Sequence, residues 1–268
     1  MALGGIVSYW MLPVISGVAW LATLLGLLLW WLIDENRRVY DSMEEGQTIA
    51  YISDIGATEL QPLFIAGSVI TSVFLDLAFV SERWLRHNGR LVANGSRRER
   101  VSSIFSIFFA LVGTAGLILL SIFDTRSHRG LHNICLGLFI LGYLVSAIFI
   151  CWEYRRLGIH YREHAILRLS FWLKLFFIIV EFALAVGFAA CMGLGRSNAA
   201  AILEWIVATV FTLYAVSFVI DLWPAVRTKG QGARFAKPGS YDMEEANTYG
   251  AAYPTTPNPP AAVHQANF

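Results

Sequence analysis

Between Ser121 and Asn133 the chain reads Ser-Ile-Phe-Asp-Thr-Arg-Ser-His-Arg-Gly-Leu-His-Asn, which packs one acid, two arginines and two histidines into a short polar stretch. Three kinds of chemistry suit those residues. His128 and His132 are four apart and would share a face if one helix carried both; with Asp124 they could ligate zinc. Arg126 and Arg129 with the imidazoles could instead hold a phosphate or a lipid head group. The bland reading is a turn that satisfies its own backbone. Zinc is disfavoured because the Glu of a His-Glu-x-x-His site is missing. A second histidine pair of the same spacing, His160 and His164, also falls elsewhere in the chain. No Gly-x-Ser-x-Gly, P-loop or Gly-x-Gly-x-x-Gly pattern occurs, and nothing activates Ser121 or Ser127. We therefore assign no catalytic residue, no metal and no cofactor.

Other ionisable residues interrupt the apolar runs: Asp76, Lys174, Glu181 and Asp221. Charge inside a membrane is costly and points to function by default. At helical rise, Asp76 lies about 21 Å from one face and Lys174 about 8 Å from the other. In a core of about 30 Å those depths nearly coincide, which allows an Asp76–Lys174 pair; the bland reading is a structural inter-helix pair or a snorkelling lysine. Glu181 falls near the midplane, lining a path or bonding a neighbouring helix. Asp221 falls at a boundary, where solvent would reach it.

The elements that must position these groups follow from composition. The 268 residues are 56% hydrophobic and only 15% charged, well below the charged share of a soluble domain. Six apolar runs, about 11–33, 62–82, 102–123, 132–153, 169–192 and 201–223, are each of bilayer-crossing length. The fold class is all-α, a bundle of six transmembrane helices over residues 1–223, and the first run is kept as a span because it lacks a basic n-region and a cleavage site. Fourteen basic residues fall on one side: Arg83, Arg86, Arg90, Arg97, Arg98, Arg100, Arg155, Arg156, Arg162, Arg168, Arg227, Lys229, Arg234 and Lys237. Five fall on the other: Arg37, Arg38, Arg126, Arg129 and Arg196. The positive-inside rule then places both termini in the cytosol and the 121–133 stretch outside. Asn94-Gly95-Ser96, a glycosylation acceptor, would face the cytosol and carry no sugar.

Residues 224–268 change character. A basic piece, Arg227, Lys229, Arg234 and Lys237, suits anionic inner-leaflet lipids. The Pro-, Ala- and Asn-rich remainder is expected to be disordered. On the exoplasmic side, the 33–61 loop is the largest piece. Ser53-Asp54-Ile55-Gly56 reads as a tight turn, and Thr58 with Gln61 as a capping box before Pro62. Trp10, Trp30, Trp31, Trp152, Trp205 and Trp223 near span ends read as interface anchors. Cys135, Cys151 and Cys191 give no disulfide framework, although a Cys135–Cys191 bridge is compatible with the spans. No basic-aromatic module for nucleic acid occurs.

Six spans, Ile52-Ser-Asp-Ile-Gly56 in the first outer loop, and Ser121-Ile-Phe-Asp-Thr125 followed by His128 and His132 together resemble the Frag/DRAM/Sfk family over about residues 10–223. That family includes the CWH-type N-terminal domain of GPI-anchor remodelling proteins. The long polar tail is similar to that of the fungal Sfk branch. The first loop lacks the cysteine of the DRAM branch. The resemblance implies membrane-lipid biology: plasma membrane, a phosphatidylinositol 4-kinase complex and transbilayer lipid asymmetry for the fungal branch. It implies GPI-anchor lipid exchange for the remodelling branch, and autophagy and lysosomes for the DRAM branch. The expected partners are thus anionic phospholipids and phosphoinositides, with a phosphatidylinositol 4-kinase complex. Asp54, Asp124, His128 and His132 are the shared polar positions the resemblance implies.

Overall fold

The computed structural model describes residues 8–92, 97–160 and 165–228. They form six long helices and two short ones: α1 (Met11–Leu29), α2 (Ile52–Gly56), α3 (Gln61–His87), α4 (Arg97–Ile122), α5 (Arg129–His160), α6 (Ala165–Gly193), α7 (Ser197–Leu222) and α8 (Pro224–Arg227). A π-helical turn, Trp30–Asp34, extends α1. All described regular structure is helical, and six helices are long and apolar enough to cross a membrane. In lipid a helix satisfies its own backbone, which is why apolar runs of this length take that form.

The long helices outrun the expected spans at several ends. Residues 83–87, 97–101 and 154–160, expected in loops, are helical. Their charges mark where the bilayer core ends, not where the hydrogen-bonded ladder ends. Pro62 sits in the first turn of α3, where its missing N–H costs least.

The six long helices pack as a ring in the order α1, α3, α4, α5, α6, α7, closing from α7 back to α1. Small residues set the spacing, as expected where lipid supplies little drive for helices to associate. Gly67 of α3 lies against Thr23 of α1, and Gly17 of α1 against Val216 of α7. The closest backbone approaches join α4 to α5: a Cβ at Gly116 would meet the Phe139 nitrogen, and one at Gly142 would stand 2.5 Å from that of Gly113. Ser16 donates to the Thr71 carbonyl at 2.8 Å, Ser146 to the Ser106 carbonyl at 2.7 Å, and Trp20 to the Ala208 carbonyl at 3.1 Å.

Inside the ring lie Trp20, Phe64, Phe139, Tyr143, Phe211, Tyr214 and Phe218, meeting largely edge to face. Helix α6 is the least enclosed; Trp172, Phe176, Ile179 and Phe182 all point outward. Such a face suits lipid. The three cysteines are free thiols, so the compatible Cys135–Cys191 bridge is not made.

Two ends result. The loop end carries residues 35–60, 123–128 and 194–196; the terminal end carries the start of α1, residues 88–92 and α8. At the terminal end Arg90 donates to the Ala225 carbonyl at 2.5 Å and Thr228 to the Arg90 carbonyl at 2.7 Å. At the loop end the 35–60 segment is tied across the ring to α7. Asn198 accepts from the backbones of Thr48 and Ile49 at 2.8 and 2.9 Å, and Trp205 donates to the Ala50 carbonyl at 3.1 Å. Trp31 and Trp205 thus hold this segment down; Trp152 and Trp223 are exposed near helix ends, as anchors would be.

Candidate functional site

The loop end holds all six polar positions singled out from sequence, but they divide into two roles, four at an open rim and two turned inward. Asp124 begins the turn after α4. It accepts from the Ser127 backbone N–H at 2.5 Å and from the Ser127 hydroxyl at 3.4 Å. Partial burial works against ionisation, yet those bonds, with the Arg126 backbone and His128, hold the carboxyl below its usual range. Arg126 faces Asp41 at 3.8 Å and Arg129 pairs with Glu44 at 2.6 Å, all four side chains being half exposed or more. His128 is exposed and leans on the Phe123 ring, centroids 5.6 Å apart. These form an open rim.

His132 and Asp54 instead point inward. His132 is buried, and its Nδ1 lies 3.0 Å from the Leu120 carbonyl and 2.9 Å from that of Phe123. Carbonyls only accept, so Nδ1 carries the proton and the ring ties the end of α4 to the start of α5. The expected histidine pair therefore does not act as one site. The backbone N–H of His132 does reach the His128 carbonyl, one turn back. But α5 begins at Arg129, which leaves His128 outside the helix while His132 turns into the protein. Among the described residues no group of three or more His, Cys, Asp or Glu is arranged to hold a metal.

Asp54 lies in α2, a short helix where the sequence suggests a tight turn. Its carboxylate accepts from Ser42 at 2.7 Å, from the Tyr51 N–H at 3.1 Å and from Gln47 at 3.4 Å. The expected Thr58–Gln61 box is not formed; Thr58 donates to the Ile55 carbonyl at 2.6 Å. Burial holds the Asp54 carboxyl above its ordinary range, against the pull of those bonds and of Arg129. An acid raised in the folded state binds its proton more tightly when folded. Its contribution to stability is therefore full below the ordinary carboxylate value, about pH 4, and falls as pH rises through the raised one. Tyr40, Tyr51, Glu44, Glu204 and Arg129 surround it. We expect Asp54→Asn to flatten the pH dependence of protease cleavage within residues 35–60. An unchanged profile would assign the dependence to its neighbours.

Within the membrane the Asp76–Lys174 pair that equal depth allows does not form. Asp76 accepts from Thr114 at 2.8 Å, and Thr114 in turn contacts the Tyr143 hydroxyl at 2.7 Å. Lys174 pairs with Asp221, and both donate to or accept from Ser170. Asp221, expected to be solvated, is buried. Helices α3 and α6 are not neighbours in the ring, so equal depth does not bring their side chains together. Glu181 faces an apolar pocket, with Oε1 unpartnered.

Two features escaped sequence reasoning. At the terminal end Arg86 is buried on α3 and bonds Glu82 at 2.7 Å, with Glu153 at 3.9 Å. Tyr154 donates to Glu82 at 2.5 Å, under both Arg86 and Lys174, which lie 5.1 and 4.7 Å from its ring centre. The i,i+4 spacing of Glu82 and Arg86 was the available signal. Glu204 on α7 accepts from the Ile52 N–H at 2.7 Å, fixing the start of α2; a carboxylate three residues into an apolar run was its signal. Of the proposed inner-leaflet contacts, Arg227 ends α8. Lys229, Arg234, Lys237, the 94–96 acceptor and His164 lie outside the described residues.

Comparison with known proteins gives a consistent family. The profile of the Frag1/DRAM/Sfk1/Cwh43P N-terminal domain matches residues 8–225. The protein sfk1 of Schizosaccharomyces pombe is 29% identical over 255 residues, covering 94% of this chain and 74% of that protein. The protein SFK1 of Saccharomyces cerevisiae is 27% identical over 176 residues, covering 56% of this chain and 50% of that protein. No solved structure matches. With the six-helix ring and the profile spanning nearly all of it, the chain belongs to the Frag1/DRAM/Sfk1 family of membrane proteins.

Proposed function

We propose that this chain is a non-enzymatic regulator of lipid organisation in the plasma membrane, acting on transbilayer phospholipid asymmetry and phosphoinositide signalling. In this reading the loop end is exoplasmic and both termini are cytosolic. The observation that carries it is the open rim. Arg126 and Arg129 are more than half exposed, and the acids they face, Asp41 and Glu44, are equally open. Exposed ion pairs of this kind are worth at most about 1 kcal/mol, so a lipid phosphate competes for the guanidinium groups at little cost and gains charge-assisted bonds. Arg227 with Lys229, Arg234 and Lys237 would serve anionic lipid, phosphoinositide or a phosphatidylinositol 4-kinase complex on the other side.

Arg126→Gln with Arg129→Gln is expected to weaken binding of the reconstituted protein to anionic vesicles by about tenfold, two charge-assisted contacts being lost. Its unfolding midpoint should not move. In cells lacking the chain, surface exposure of phosphatidylserine should rise and be restored by the native chain but not by this variant. Full rescue by the variant would remove the rim from the mechanism, and unchanged lipid exposure in the null cells would overturn the reading itself.

A further inference from the structure

Between α5, α6 and α7 lies a pocket with about 490 Å³ of empty space, counting the part that opens outward. Its floor is aromatic and buried: Phe139, Tyr143, Phe177, Phe211 and Tyr214. Its rim is Ile140, Leu144, Ile178 and Glu181, all partly exposed. The rim residues lie on the middle turns of α5 and α6, flanked by the outward-facing Leu141, Ile148, Ile179 and Phe182. Only bilayer lipid can reach such an opening. Concave, mostly apolar pockets with very few polar groups are the usual form of small-molecule sites.

Two polar atoms on this lining have no partner: Oε1 of Glu181 and the hydroxyl of Tyr214, the latter on a side chain that is 5% exposed. A buried acceptor left unmade costs about 1–3 kcal/mol, and native structures seldom leave one without a reason. The lining has no Lys, Arg or His. A phosphodiester drawn to this depth would therefore be uncompensated, which is far costlier than an unpaired hydroxyl. A bare acyl chain would fill the aromatic floor but leave Glu181 unsatisfied. The complement is an apolar body with one uncharged hydroxyl, which can both donate and accept.

We propose that this pocket holds an uncharged lipid alcohol (a diacylglycerol, a ceramide or a sterol) entering between α5 and α6, with its hydroxyl hydrogen-bonded to Glu181. The site stands apart from the loop-end rim and does not depend on the reading given for it. It gives the protein a way to sense a neutral lipid from within the bilayer, midway between the leaflets.

The test uses the full chain in lipid nanodiscs with diazirine-bearing diacylglycerol, ceramide, sterol and phosphatidylcholine, and locates the labelled peptides by mass spectrometry. At least one lipid alcohol should label α5 or α6 at the pocket and be competed by its unlabelled form, and comparing the three probes identifies the source. Glu181→Leu should lower that labelling about tenfold, one hydrogen bond's worth, whereas Glu181→Gln, which keeps an acceptor, should retain it. A second variant, Ala147→Phe, fills the pocket and should abolish labelling by every probe. Equal labelling by phosphatidylcholine, with Glu181→Leu unchanged, would reduce the pocket to an acyl-chain groove and overturn the proposal, as would labelling only elsewhere on the protein.

Discussion

Replacing Lys174 by Met is expected to lower the stability of the purified protein by about 3–5 kcal/mol. The ammonium group is buried together with Asp221, to which it is bonded along with Ser170. It also lies 4.2 Å from the centre of the Phe218 ring and 4.7 Å from that of Tyr154. Removing it leaves Asp221 charged and unpaired among aromatic rings, and an uncompensated buried charge is what makes such changes severe. Ordinary hydrogen bonds between membrane helices average about 0.6 kcal/mol, so the effect should stand well clear of that background. The double variant Lys174→Met with Asp221→Leu removes both charges and should recover most of the loss. Unfolding of detergent-solubilised protein, followed by tryptophan fluorescence, measures all three variants. A single variant no less stable than the double one would mean that solvent already reaches the pair.

The same pair shows what could and could not be seen from sequence. The six spans are legible because hydropathy registers what the bilayer demands of each helix, and a profile match over residues 8–225 agrees with them. Depth along each helix is legible too, at a fixed rise per residue. The direction in which each residue points within the ring is not. Asp76 and Lys174 share a depth but sit on helices that are not neighbours in the ring, whereas α7, a true neighbour of α6, supplies Asp221. Helix ends were misplaced for a related reason. Charged residues end an apolar run but continue a helix, so Arg86, expected in the loop after the second span, is buried with Glu82 on α3. At the loop end the residue types were legible and the roles were not. Spacing put His128 and His132 one turn apart, yet the start of α5 at Arg129 turns one ring outward and the other into the carbonyls that end α4.

Substituting Gly142 by Val is expected to cost about 3 kcal/mol, the upper part of the overpacking range, and to do so through backbone contact. A Cβ there would lie 2.5 Å from the Gly113 nitrogen, 2.7 Å from its Cα and 3.0 Å from the Phe109 carbonyl. None of these is the movable end of a side chain, so α4 and α5 must separate. Separation loosens the bonds that cross the seam: Ser146 to the Ser106 carbonyl, Ser102 to the Phe149 carbonyl, and Thr114 to Tyr143. The last of these matters beyond stability. Thr114 also holds Asp76, and Tyr143 forms part of the aromatic floor beside Glu181. The α4–α5 seam therefore sets the shape of the interior that any lipid entering between α5 and α6 would meet. Gly137 on the same helix has open space around it, and Gly137→Ala should leave the unfolding midpoint unchanged or raise it, since Ala is the better helix former. Thermal unfolding of the two variants side by side separates close packing from helix propensity. Similar losses for both would mean that glycine in α5 serves flexibility and not the seam.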